Sequence, residues 1–361
     1  HLNRAGAHAS RGDAGPAARE FARAGRRDPR AAALTAGRIA GGGLRRAVPA
    51  PLRDRARIAA ARRLENRARS STSAAGAAVV LHAVAERDGD RELEIDPPIA
   101  VERLDWMVEH LAGRYRLVRA GDLADAALHR RAGEPLPIAF TFDDDLPSHA
   151  AHALPVFERH GAVATAFLCR PEAPFWWWRL QRAIDERLIE ADDLPHLEHA
   201  TVAAALAREP RAIKRLAGAI EALGPAERDE VEAALAGAAG EGFEILMDAD
   251  VERLADAGWE LGAHTRRHYR LATLDDGLLG QELERRPVRA RGEPPTTLAY
   301  PHGKAGEREA AAVAAAGYST AFTGRPEAFS ERTDMRLIGR LQPDLTSPGR
   351  FALGLARSLA R

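Results

Sequence analysis

From residue 77 onward the chain alternates short runs of β character with helical segments. That alternation restricts it to an α/β fold built on a parallel sheet, open or closed into a barrel. The strand-like runs fall at 78–84, 138–142, 164–168, 259–263, 297–300 and 318–323. Between them, 101–111, 121–128 and 148–160 carry helical patterns. The stretch from about 175 to 240 has a different texture: it is rich in alanine and leucine and lacks strand signals. It reads as a helical insertion between two strands.

Residues 1–75 stand apart. Within residues 1–70, 17 arginines face five acids, although the whole chain carries a formal net charge of zero. Gly41-Gly42-Gly43, Pro49 and Pro51 break the segment, and Ser70-Ser71-Thr72-Ser73 closes it like a linker. Short amphipathic helices are expected near 16–27 and 52–68. The segment reads as a basic tail or the end of an upstream domain, followed by one large domain over 76–361. Its charge also allows weak contact with an anionic membrane surface. The only lysines are Lys214 and Lys304, which with the abundant alanine reads as the codon bias of a GC-rich genome.

Cys169 is the sole cysteine, which rules out a disulfide within the chain and a cysteine-based zinc site. No run approaches 18 apolar residues, so no transmembrane helix is expected. The N-terminus, His1, lacks the apolar core of a signal peptide. A cytoplasmic location is the expectation, and no nucleic-acid partner is expected.

Chemistry concentrates at three strand ends. Ile138-Ala139-Phe140-Thr141-Phe142 runs into Asp143-Asp144-Asp145, three adjacent carboxylates that repel one another and that a cation would relieve. In barrel enzymes the C-terminal ends of strands carry catalytic groups. Alternatively, such a cluster is an acidic turn ahead of a helix. Trp259-Glu260-Leu261-Gly262-Ala263 leads into His264-Thr265-Arg266-Arg267-His268. Two histidines four apart can turn their imidazoles to one point, and with one carboxylate they leave a coordination position open for water, as a hydrolytic zinc site requires. Leu298-Ala299-Tyr300-Pro301-His302-Gly303 is a third strand end, uninformative by itself.

In this order the three stretches resemble the polysaccharide deacetylase family (carbohydrate esterase family 4, the NodB-homology domain). Thr141-Phe142-Asp143-Asp144 matches its first motif, with Asp145 in place of the glycine. His264-Thr265 through His268 matches the second, and Ala299-Tyr300-Pro301-His302-Gly303 resembles the third. The resemblance runs from about 78 to 345. It implies a deformed (β/α) barrel in which Asp144, His264 and His268 hold a divalent metal, zinc being the expected ion, and Asp143 is the base. The implied activity is removal of an N-acetyl group from an amino sugar in a glycan or glycan precursor. A backbone N–H near Tyr300 is a candidate oxyanion donor, and the substrate partner is an N-acetylated glycan.

Two departures qualify that reading. The family's third motif often begins with an arginine that orients the base, and Ala299 stands there. Many members supply the acid from a late Leu-x-His motif, whereas the late segment here reads Leu337-Ile338-Gly339-Arg340-Leu341. His82 and His302 are left as candidate acids, with Tyr300 beside them as a substrate-binding candidate. The departures keep open a non-catalytic carbohydrate-binding relative; a hydrolase of a non-sugar amide is a further alternative. Phe175-Trp176-Trp177-Trp178 is expected either to pin the insertion to the barrel or to stack on sugar rings.

Overall fold

The structure is a computed structural model that describes residues 50–172, 174–238, 245–290 and 292–360. The expected helix near 16–27 and most of the basic segment lie outside the described residues. The one near 52–68 is part of α1 (Ala50–Ser70), whose first turns belong to the unit His1–Ala56. Arg57–Arg361 form a compact unit of their own. No helix among the described residues is long and apolar enough to cross a membrane.

Strands and helices then alternate as the sequence pattern requires. First come β1 (Ala75–Leu81), β2 (Val84–Ala85), β3 (Ile99–Ala100), α2 (Val101–Ala112), β4 (Arg116–Leu117), α3 (Leu123–Leu128) and β5 (Pro137–Asp143). After α4 (Leu154–Arg159) and β6 (Thr165–Leu168) come four helices: α5 (Trp176–Asp185), α6 (His199–Leu206), α7 (Ala212–Glu221) and α8 (Pro225–Ala234). The chain continues with α9 (Asp248–Asp256), β7 (Glu260–Ala263), α10 (Asp276–Glu282), β8 (Thr297–Ala299), α11 (Glu307–Ala315) and β9 (Thr320–Phe322). It ends with β10 (Phe329–Ser330), β11 (Arg340–Leu341) and α12 (Pro348–Leu359).

β1, β5, β6, β7, β8 and β9 pair in that order, all parallel. β1 and β5 are buried along nearly their whole length, as strands covered on both faces must be. Beyond β9 the sheet curls back on itself. Phe322 bridges to Ile338, Thr323 donates to the Ile338 carbonyl at 2.7 Å, and two residues later β11 pairs in parallel with β1. The segment 338–341 therefore joins the last strand to the first, and the sheet closes into a deformed barrel. Gly339 is required there, because a Cβ would stand 2.6 Å from the carbonyl oxygens of Arg325 and Glu327. Sequence patterning missed this strand, since its paired stretch is just two residues long.

Helices cover the outside. On α2, Leu104, Met107, Val108 and Leu111 form the buried stripe, at helical spacing. Inside the ring lie Ala78, Ala139, Phe167, Ala299, Phe322 and Ile338. The helices α5 to α8 sit between β6 and β7, which nevertheless pair directly, Thr165 with Glu260. They bury a core of their own around Trp176, Leu180, Val202, Leu216, Ile220 and Val231.

Candidate metal centre and catalytic site

The ends of β5, β7 and β8 converge at one rim, around a cleft of about 710 Å³. β5 stops because Asp144 adopts a left-handed conformation, φ 69°, which Asp tolerates better than most residues. Thr265, His268 and His302 are also left-handed, at φ 65°, 55° and 57°. Backbone strain of this kind gathers where side chains must be aimed.

Asp144, His264 and His268 are all buried, and their ligand atoms lie within 4.8 Å of one another. The Nε2 atoms of both histidines stand 3.6 Å from Asp144 Oδ1, too far for hydrogen bonds. That oxygen is buried and has no hydrogen-bond partner. His264 Nδ1 donates to the Ala299 carbonyl at 2.8 Å, which fixes the tautomer and leaves Nε2 with its lone pair facing Asp144. Burial pushes the His264 imidazole down to about 4 and that of His268 well below its ordinary value, so both are neutral. Burial also drives the Asp144 carboxyl well above its usual range. Two neutral imidazoles and one carboxylate that cannot hold its charge alone make a donor set that fits a divalent cation.

Asp143 behaves differently from its neighbour. Its oxygens accept two parallel bonds from Arg340, Nη1 to Oδ1 at 2.5 Å and Nη2 to Oδ2 at 2.7 Å. Burial would raise this carboxyl, but the guanidinium outweighs it and holds the group well below the ordinary carboxylate range. Asp143 is thus ionised at any working pH, and its Oδ2 lies 3.9 Å from His264 Nε2. Arg340 comes from β11, the strand that closes the barrel, and is itself buried. The arginine that Ala299 does not provide is therefore present beside Asp143, supplied by β11, which only β9 separates from β8 in the ring. One cue was available in the sequence: an arginine within the apolar run Leu337 to Leu341 needs a buried carboxylate.

Removing one partner of such a pair strands the other. Arg340→Met is expected to lower unfolding stability by about 3–5 kcal/mol, read by urea denaturation. Arg340→Met combined with Asp143→Asn should recover part of that loss. Unchanged stability in the single variant would show that the pair does not hold the base.

Asp145 turns away from the cleft. Its carboxylate accepts the backbone N–H groups of Cys169 (2.8 Å) and Arg170 (3.0 Å), and burial lifts it to about 6 against those bonds. It ties the end of β5 to the end of β6 and stands apart from the Asp144, His264 and His268 cluster. Tyr300 needs a larger correction. Its ring lies in the core, its hydroxyl donates to the Arg336 carbonyl at 2.9 Å, and its N–H donates to Phe322 within the sheet. Neither group is free for substrate or oxyanion. The reason is strand parity, which points the side chain out of the ring.

The two candidate acids flank the cluster. His82, a third exposed, stands 4.0 Å from Asp143 Oδ2 and 3.9 Å from Asp96 Oδ1. Burial would lower its pKa, but Asp96, Asp143 and Asp144 together raise it. His302 lies on the other side, its ring 4.5 Å from that of His268. Its Nδ1 is held at 3.2 Å by Glu221, the last residue of α7, while its buried Nε2 has no partner. Glu221 also accepts from Lys304 at 3.3 Å. Burial would raise the Glu221 carboxyl, but these two partners hold it below its ordinary value. Sequence reasoning missed Glu221, because nothing in a helical insertion signals which residue will face the rim.

The aromatic run pins the insertion. Phe175, Trp176 and Trp177 are buried, Trp177 stacks on Phe175 at 4.2 Å, and its ring packs 4.6 Å from His268. Trp176 and Trp177 also line the cleft.

The family model described as "Polysaccharide deacetylase" matches residues 230–321, a stretch that holds His264, His268 and His302. No curated protein matches the chain in sequence. Among solved structures, the Streptococcus pyogenes deacetylase PplD, in complex with acetate, is 11% identical with a TM-score of 0.51. The match covers 80% of this chain and 99% of that one. A polysaccharide deacetylase from Bacillus cereus is 14% identical with a TM-score of 0.48, over 80% of this chain and 69% of its own. IcaB from Ammonifex degensii is 16% identical with a TM-score of 0.43, over 79% and 97%. The first of these likenesses is one of fold.

Proposed function

We propose that this chain, which belongs to the polysaccharide deacetylase family and is a hydrolase of linear amides, uses a zinc ion to remove the N-acetyl group of an amino sugar within a glycan or glycan precursor. The observation that carries the reading is the buried, unpartnered Asp144 Oδ1 facing two neutral imidazoles, one with its tautomer fixed. Bound by Asp144, His264 and His268, the ion would supply Lewis acidity toward water and the acetamide carbonyl.

The chain's own groups handle the protons. Asp143, oriented by Arg340, accepts the proton of the attacking water as its oxygen bonds to the carbonyl carbon. Contacts run from His82 through Asp143, His264 and His268 to His302. The base and His302 therefore occupy opposite ends of the cluster. We assign to His302 Nε2 the proton that the amine takes up as the C–N bond breaks, with Glu221 holding the ring. His82 sits beside the base, where a second donor has no acceptor on the leaving group.

The non-catalytic alternative drew its support from two departures, the missing orienting arginine and the missing late histidine, and Arg340 answers the first of them. The reaction is tested by acetate release. The full chain supplied with zinc should release acetate from N-acetylglucosamine oligomers, and none with zinc or cobalt would defeat the proposal. In the same assay His302→Ala should lower kcat about 100-fold; a kcat within twofold of the parent would end the acid assignment.

A further inference from the structure

The cleft lining is charged throughout: Asp143, Asp144 and Glu221 stand around the histidine cluster, and Asp88, Asp96 and Arg103 line it with two further cations, Lys214 and Arg91. Neither has a carboxylate within 4 Å among the described residues. Asp96 feels Lys214 and Asp88 feels Arg91 electrostatically, but neither carboxylate makes an ion pair with its neighbour, and Asp88 pairs with Arg103. Of the 52 basic residues in the chain only two are lysines. Lys304 is engaged by Glu221, and Lys214 lines the cleft without an ion pair among the described residues.

The wall carrying these cations is constructed. Arg211, at the start of α7, grips Glu92 through its guanidinium at 2.9–3.1 Å and donates its N–H to the Glu92 carbonyl at 2.7 Å. Gln181 of α5 accepts from the Ile95 N–H at 3.0 Å and donates to the Leu93 carbonyl at 3.3 Å. The loop between β2 and β3 is thereby clasped to the insertion. Lys214 and Glu221 are seven residues apart on α7, two turns along one face, so the ammonium stem starts about 10 Å along the helix from the residue that holds His302.

Resting on the deacetylase reading, we infer that this wall of the cleft is an anion subsite: Lys214 and Arg91 recognise a carboxylate or phosphate on a sugar unit neighbouring the one whose acetamide sits at the metal. A neutral glycan would leave both cations lining the cleft without an ion-pair partner. A compact ammonium with three rotatable donors suits either oxyanion.

The test compares three N-acetylhexosamine oligomers: neutral, alternating with a uronic acid, and phosphate-bearing. Binding is measured by calorimetry at low and high salt on the full chain carrying Asp143→Asn, so that ligand is not consumed, and kcat/KM by acetate release on the parent chain. At low salt one anionic oligomer should bind about tenfold more tightly than the neutral one, with a preference that shrinks as salt rises. Lys214→Met should reduce that preference about tenfold in both measurements, and Arg91→Met in the same direction. The arm that shows the preference identifies the group as carboxylate or phosphate. Equal affinities in all three arms, or a preference untouched by either substitution, would overturn the inference. A Lys214-dependent preference without acetate release would keep the subsite and defeat the deacetylase reading instead.

Discussion

Asp143→Asn is expected to lower kcat about 1,000-fold while leaving metal content unchanged. The amide keeps the size of the carboxylate and one oxygen for Arg340, but it cannot take a proton from water. Because Asp143 is held well below the ordinary carboxylate range, the parent has its base ionised throughout the working pH window. The loss should therefore be flat across neutral pH, not confined to its acid side. KM should change little, since the group acts on the water and not on the bound sugar. Acetate-release kinetics with elemental analysis of the same preparation read both halves. A kcat within tenfold of the parent would remove Asp143 from the chemistry, and a loss of metal would make it a ligand instead.

Loss of the cation should be more drastic still. His264→Ala is expected to bring metal stoichiometry from about one per chain to near zero and activity to background, because two donors hold a divalent ion poorly. Dialysis of the parent against a chelator should do the same, with recovery on adding zinc. Stability offers a readout that needs no substrate. An ion that binds only the folded chain adds about 2.7 kcal/mol at 100 times its Kd, so adding zinc to the stripped parent should raise Tm, and adding it to His264→Ala should not. Metal retained at parental stoichiometry in the variant would refute the ligand assignment.

The inner strands and the convergence of Asp144, His264 and His268 were legible because both are written locally. A buried parallel strand is a continuous apolar run, and β5 and β7 each end where such a run meets residues that carry chemistry. Arg340 lies in the late segment where the family carries a histidine, and nothing local marks which carboxylate it meets. Its partner lies 197 positions away, and the pairing exists only because β11 crosses from β9 to β1. Glu221 was invisible for a related reason: it acts through the fold of the insertion and not through any motif. Asp145 adjoins Asp143 and Asp144 in sequence, but adjacency in sequence is not adjacency in space. The left-handed turn at Asp144 sends the two side chains to different places. Tyr300 failed by the same logic, since consecutive residues of an extended segment face opposite sides.

The helices α5 to α8 also bear on how the chain reaches this state. β6 and β7 are sheet neighbours, yet residues 169–259 separate them. Joining the ends of so long a connection costs about 2 kcal/mol more in chain entropy than joining those of a short loop. That cost falls on the pairing that brings His264 and His268 up to Asp144, which is synthesised long before them. Helices that collapse first onto their own apolar centre shorten the span left to be closed. The Asp144, His264 and His268 cluster is therefore expected to assemble late in folding, after helices that supply none of its three residues.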